Sequence, residues 1–224
     1  MTNTWYRLSG GALIGSFVLS LAGGMAHPIV GGRSHSAASL TAPLSPYAQL
    51  LIYAGAVLLM LGLPAAFAYL APHVGKIGIA GLVAYFLGNA TSVQGHLVVE
   101  AFVAPAIARD PATRHLIADD GSIIDSGSFL IFQTVGGMIF MAGLLLIGIG
   151  LLRSRIVPKW IGAVAVAGAL LLAVPLPEVP VLTGLQIELA RGLVVAAIGV
   201  LMIRAARTTV PAVAPAADRI LVGA

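Results

Sequence analysis

The chain has no cysteine, which excludes disulfide staples, thiolate metal sites and thiol catalysis. It is almost as poor in charge. Only 9% of its 224 residues are Asp, Glu, Lys or Arg, against about 25% in a soluble domain. With 59% apolar residues and a mean hydropathy of +1.02, no single globular core hides its surface from water. The solvent for this chain is lipid. Strict polar–apolar alternation is also missing, because the apolar runs are continuous, and this excludes a membrane β-barrel. There is no convincing internal repeat. The formal charge of +4 reads as a topology signal rather than as a nucleic-acid surface.

Six runs are long enough to span a bilayer as helix: about 8–28, 47–70, 77–103, 128–151, 157–175 and 181–203. The expected fold is therefore an all-α, polytopic bundle in one domain, 1–207, followed by a flexible cytoplasmic tail, 208–224. Pro28, the Pro43 and Pro46 pair, Pro72, Pro111, Pro158 and the Pro175–Pro180 run fall at proposed ends, where proline is easily accommodated. Pro64 and Pro105 fall inside or near the end of helices and predict kinks. The first run reads as a retained anchor rather than a cleaved signal peptide, since Gly23–His27 offers no small-x-small cleavage site.

Lys and Arg set the orientation. With the N-terminus cytoplasmic, Arg7, Lys76, Arg153, Arg155, Lys159, Arg204, Arg207 and Arg219 are inside, and only Arg33, Arg109 and Arg114 are outside. Both termini then lie inside, as six spans require. Trp5, Tyr6, Tyr47 and Trp160 fit interfacial aromatic belts. The longest external loop, about 104–127, carries Asp119, Asp120 and Asp125 around Gly121. Their spacing does not match the alternate-position ligands of an EF-hand. A solvated turn with Ser126 or Ser128 as N-cap of the next helix is the expectation.

Two helices carry polar residues that lipid cannot satisfy. In the third run Tyr85, Asn89, Ser92, His96 and Glu100 recur at steps of three and four, so they share one helical face. In the sixth, Gly184, Glu188 and Arg191 do the same. A lone charge at the bilayer centre costs about 2.5–3.5 kcal/mol on insertion scales, so Glu188 and Arg191 are expected to pair and to face inward. Asn89 and Arg191 fall at similar depths, Asn89 about 18 Å along its helix from Ile77. Glu100 falls at or beyond the core boundary, too far from Arg191 for a direct salt bridge. His27, Gln49 and Gln133 converge on the same outer half. The expectation is an outward-facing polar cavity between the third and sixth spans, with Asn89, Ser92, His96, Glu100, Gln133, Glu188 and Arg191 as ligand-binding residues.

Each of these has a plainer reading. Asn89, Ser92 and Gln133 can be interhelical glue, and Glu188 with Arg191 can be a packing pair. His96 and Glu100, one turn apart, offer two metal ligands, with His27 as a third; because such pairs are common by chance, no metal and no cofactor are expected. His73 and His115 read as ordinary loop residues. Haem bundles need paired histidines on facing helices, and only His96 and His27 are candidates.

The segments RLSGGALIGSFVLSLAGGMAHP and LLRSRIVPKWIGAVAVAGALLL resemble a broad group of uncharacterised bacterial multi-pass membrane proteins, of the domain-of-unknown-function kind. The resemblance implies a helical bundle in a bacterial cytoplasmic membrane and brings no functional residues. Three functions remain open. The cavity can bind or translocate a small polar or anionic molecule. The chain can be an intramembrane acid–base enzyme of isomerase or cyclase type acting on a lipid-like substrate, with Glu100, His96 or Glu188 as catalytic candidates. It can be a structural partner subunit without ligand, in a homo- or hetero-oligomer. The partners expected are the bilayer and a small molecule, with no nucleic acid.

The charge bias makes one prediction. Reporter fusions at residue 115 and at residue 224 should report opposite sides of the membrane. Reporters on the same side would remove the six-span topology.

Overall fold

The computed structural model describes residues 2–118 and 122–208. The expected tail, from residue 209 on, and the Asp119–Gly121 part of the acidic loop lie outside the described residues. What is described is helical, with isolated bridges at Val30–Arg33 and Ile117–Ile124. The elements are α1 (Thr2–Ala26), α2 (Ala37–Leu40), α3 (Ser45–Leu70), α4 (Gly75–Thr91), α5 (Ala104–Arg109), α6 (Gly127–Arg153), α7 (Lys159–Leu172) and α8 (Leu182–Thr208).

Five helical stretches are long and apolar enough to cross a membrane. The expected fifth run, 157–175, is shorter than proposed. Its helix α7 has 14 residues, about 21 Å at 1.5 Å per residue, against a hydrocarbon core of about 30 Å. The cause is local. Pro158 is the N-cap, and the helix stops at Leu172, ahead of Pro175, Pro177 and Pro180. Proline lacks the amide that would continue the ladder and pushes its predecessor out of the helical region. Hydropathy counted Ala173 and Val174, which are apolar but not helical.

The third run also departs from a plain α-helix. From Gly75 to Arg109 the chain stays helical over 35 residues, but Ser92–Leu97 and Val99–Val103 are π-helical. Such wide i→i+5 turns are rare and occur mostly as single bulges. Pro105 sits in the first turn of α5, which follows, and Pro64 sits inside α3, which continues through it.

The long helices pack in a ring, α1 against α3 and α8, α8 against α7, α7 against α6, α6 against α4, and α4 back against α3. The helices α4 and α8 stand opposite each other across it. One half is filled by an apolar core that includes Leu13, Leu59, Leu144, Ile161 and Met202. Leu61, Leu87, Ile131 and Leu170 point outward and are exposed, as residues facing acyl chains should be. Trp5, Tyr47 and Trp160 are exposed too, whereas Tyr6 packs edge-on against Tyr69.

At the other end the loops form a cap. Leu40, Ala104, Ala108, Ile117 and Ile123 make a second small apolar core. Ser126 does occupy the N-cap position of α6, but its hydroxyl meets Ser128 at 3.1 Å rather than a backbone amide.

Lipid supplies no hydrophobic drive between helices, so seams depend on close van der Waals approach over small residues. The crossing of α1 and α8 shows this. A Cβ added to Gly184 would lie 2.2 Å from the Gly24 carbonyl, whereas one added to Gly11 meets nothing within 4 Å. Gly184→Val should therefore lower the melting temperature in detergent, by overpacking worth about 1–3 kcal/mol, while Gly11→Val should not. Equal melting temperatures for both variants would contradict the close crossing.

Candidate functional site

A cavity of about 570 Å³ opens inside the ring toward the capped end. All seven residues proposed from sequence line it: Asn89, Ser92, His96, Glu100, Gln133, Glu188 and Arg191. They enter from α4 and its π-helical extension, from α6 and from α8, so the cavity is not confined to the space between α4 and α8. Most of its remaining wall is apolar or aromatic, as at Ile52, Leu97, Leu130, Phe132, Phe140 and Ile187.

Two charged centres divide it. The first is built by α8, where the three-residue step places Arg191 over the preceding turn. Nη2 of Arg191 donates to both carboxylate oxygens of Glu188. The Arg191 guanidinium also lies 5.6 Å from the centre of the Phe140 ring, a cation–π distance. Tyr85 stacks on Phe140, the two rings 5.2 Å apart at 30°. The Tyr85 hydroxyl and Arg191 Nε are buried without a hydrogen-bond partner among the described residues. Asn89 is 3% exposed and donates from Nδ2 to the Tyr85 carbonyl of its own helix at 2.7 Å. That bond is structural.

The second centre is at the mouth. Glu100 is 3% exposed, and three imidazoles surround its carboxylate. His27 Nε2 lies 2.7 Å from Oε1, His35 Nε2 3.4 Å from Oε1, and His96 Nε2 3.4 Å from Oε2. The other nitrogen of His96 is hydrogen-bonded to the Gln133 amide, and that of His27 lies 3.1 Å from the Pro28 carbonyl. The donor atoms of His35, His96 and Glu100 all fall within 4.8 Å of one another.

Sequence reasoning missed His35, and the backbone explains why. His27 closes α1, but His35 follows a non-helical turn whose geometry no periodicity reports. Gly31 and Gly32 both adopt positive φ, 64° and 74°, a region open to glycine at no steric cost. The turn folds the chain back so that Val30 and Arg33 bridge. Buried Ser39 then fixes it, accepting from Val30 N at 2.9 Å and donating to the Arg33 carbonyl at 2.5 Å. The amide of Ser34 donates to Glu178 of the segment before α8. His35 is held over the cavity by these anchors, and the Gly-Gly pair after Pro28 was the available hint.

Of the remaining candidates, Gln49 does not reach the cavity. It is 2% exposed on α3, and its amide has no partner among the described residues. Gln186, not singled out from sequence, closes a helix end by donating to the carbonyls of Leu171 and Val174, each at 3.0 Å. The last carbonyls of a helix need such partners.

The chain matches no protein-family model, no curated protein and no solved structure. Fold and site thus define a membrane-embedded helical bundle with one apolar-walled cavity and two charged centres.

The Glu188–Arg191 centre makes a direct prediction. Arg191→Met leaves Glu188 buried and unpaired, a loss of about 3–5 kcal/mol. The double variant Glu188→Leu with Arg191→Met should recover most of it. Melting temperatures of the two single variants and the double variant in one detergent test this. Additive losses would show that the two charges do not act as a pair.

Proposed function

We propose that this protein binds or translocates a small amphipathic molecule with a polar or anionic head, taken into the cavity from the outer face of a bacterial cytoplasmic membrane. On this reading six segments cross the bilayer, α7 with the help of its non-helical flanks, and both termini lie in the cytoplasm. The observation that carries it is the composition of the cavity: about 570 Å³, within the range of small-molecule sites, with apolar walls and few convergent polar groups. The polar groups lie at two levels, so a ligand's apolar body would rest against Phe132, Leu97 and Ile187, with its head toward one charged centre.

A second reading draws on the mouth. A buried carboxylate 2.7 Å from one imidazole, with two more beside it, is suited to acid–base chemistry on a lipid-like substrate. In that case the work falls to Glu100 and its histidines. Both oxygens of Glu188 are already engaged by Arg191, which opposes its use as a general acid.

Ser92 makes the test simple, since it lines the cavity wall and belongs to neither charged centre. Ser92→Phe should fill the space while keeping every residue of both centres. Native mass spectrometry of the gently extracted protein should find a copurifying small molecule on the wild type and not on Ser92→Phe, at unchanged melting temperature. Identical spectra for the two proteins would refute an occupied cavity.

A further inference from the structure

The group at the cavity mouth has the composition and spacing of a metal centre. Its three donors come from two places in the chain, the Gly-Gly loop for His35 and the π-helical stretch for His96 and Glu100. Tetrahedral zinc with bonds of about 2.0–2.1 Å separates neighbouring ligand atoms by about 3.3 Å. The two imidazole–carboxylate separations here are both 3.4 Å, from His35 to Oε1 and from His96 to Oε2, and one donor atom of each of the three residues lies within 4.8 Å of the others. The rings of His35 and His96 stand 5.2 Å apart at 82°, so that both present an edge nitrogen to the same carboxylate.

Surrounding contacts suit ligand orientation. Metal-binding histidines characteristically bond their second nitrogen to an outer partner, which fixes ring and tautomer. Gln133 serves that role for His96 through Nδ1. With the amide turned so that its oxygen accepts from Nδ1–H, Nε2 keeps its lone pair for an ion. His27 holds the carboxylate, with Nε2 at 2.7 Å from Oε1. That is hydrogen-bond distance and shorter than the spacing of two ligands on zinc, so His27 is placed outside the coordination shell.

Charge points the same way. A carboxylate 3% exposed in a membrane-spanning stretch is costly unless a cation offsets it. The side chains of His35 and His96 keep 18% and 23% exposure, which gives an ion a path from the cavity.

We infer that His35, His96 and Glu100 bind a divalent transition-metal ion of the zinc type at the cavity mouth, with His27 and Gln133 as orienting partners. Two imidazoles and one carboxylate favour a borderline ion over calcium or magnesium. Three protein ligands leave a fourth position facing the cavity, the pattern of sites where water or substrate completes the shell. The inference does not depend on which molecule, if any, fills the rest of the cavity.

The test uses full-length, untagged protein in detergent, stripped with chelator and titrated with Zn²⁺ and separately with Co²⁺. The wild type should take up about one ion per chain, give the visible absorption of tetrahedral cobalt, and gain thermal stability on adding Zn²⁺. His35→Ala, altered only in a loop, should weaken binding at least 100-fold. His27→Ala, an outer partner, should weaken it about 10- to 100-fold while keeping the stoichiometry. The control His115→Ala should bind like wild type. Wild type that takes up no more zinc than a His35→Ala, His96→Ala double variant would overturn the inference. So would binding of Ca²⁺ with none of Zn²⁺ or Co²⁺. Either failure is distinct from that of the cavity reading, which rests on the molecule lost from Ser92→Phe.

Discussion

In hydrocarbon a polar side chain has only other parts of the protein to bond with. That constraint shapes the molecule. The helices could pack in many rotations as far as Leu, Val and Ala are concerned, since lipid is as good a neighbour as another helix. Glu188, Arg191, Asn89 and Glu100 remove that freedom. Each must face the inside of the ring, and together they fix how α4 and α8 are rotated about their axes.

The stripe on the third run and the charges on the sixth were therefore legible before any coordinates, because both span several helical turns and share one face. Glu188 with Arg191 was legible for the same reason, the pair being local to one helix. Other features depended on contacts that periodicity does not carry. Whether Gln49 would reach the cavity depended on the rotation of α3, which a single amide at its start does not fix. The length of α7 was misjudged because hydropathy scores Ala173 and Val174 alike in helix or extended chain, whereas the prolines that follow them do not permit helix. The π-helical turns after Thr91 gave no recognisable signal.

His35 marks the limit most clearly. Its position comes from two positive-φ glycines, a buried serine and an amide bonded to Glu178, three features distant in kind and sequence. Read as a loop residue it has no evident role, yet in the fold it shares a carboxylate with His27 and His96. The cap has a similar history. Ile117, Ile123 and Leu40 are unremarkable in sequence, but together they form the small core of the loop end.

The central claim is that the polar faces of α4 and α8 line one cavity reached from the capped end, with the outer surfaces of the same helices in lipid. A chain with no cysteine allows a clean measurement. Single cysteines at Ser92, on the cavity wall, and at Leu87, on the exposed face of α4, would be treated in intact membranes with a charged, membrane-impermeant thiol reagent. The account predicts rapid modification at Ser92 and none at Leu87. Reaction at Leu87 with an inert Ser92 would mean that the stripe does not face a water-accessible space, and the account would be wrong.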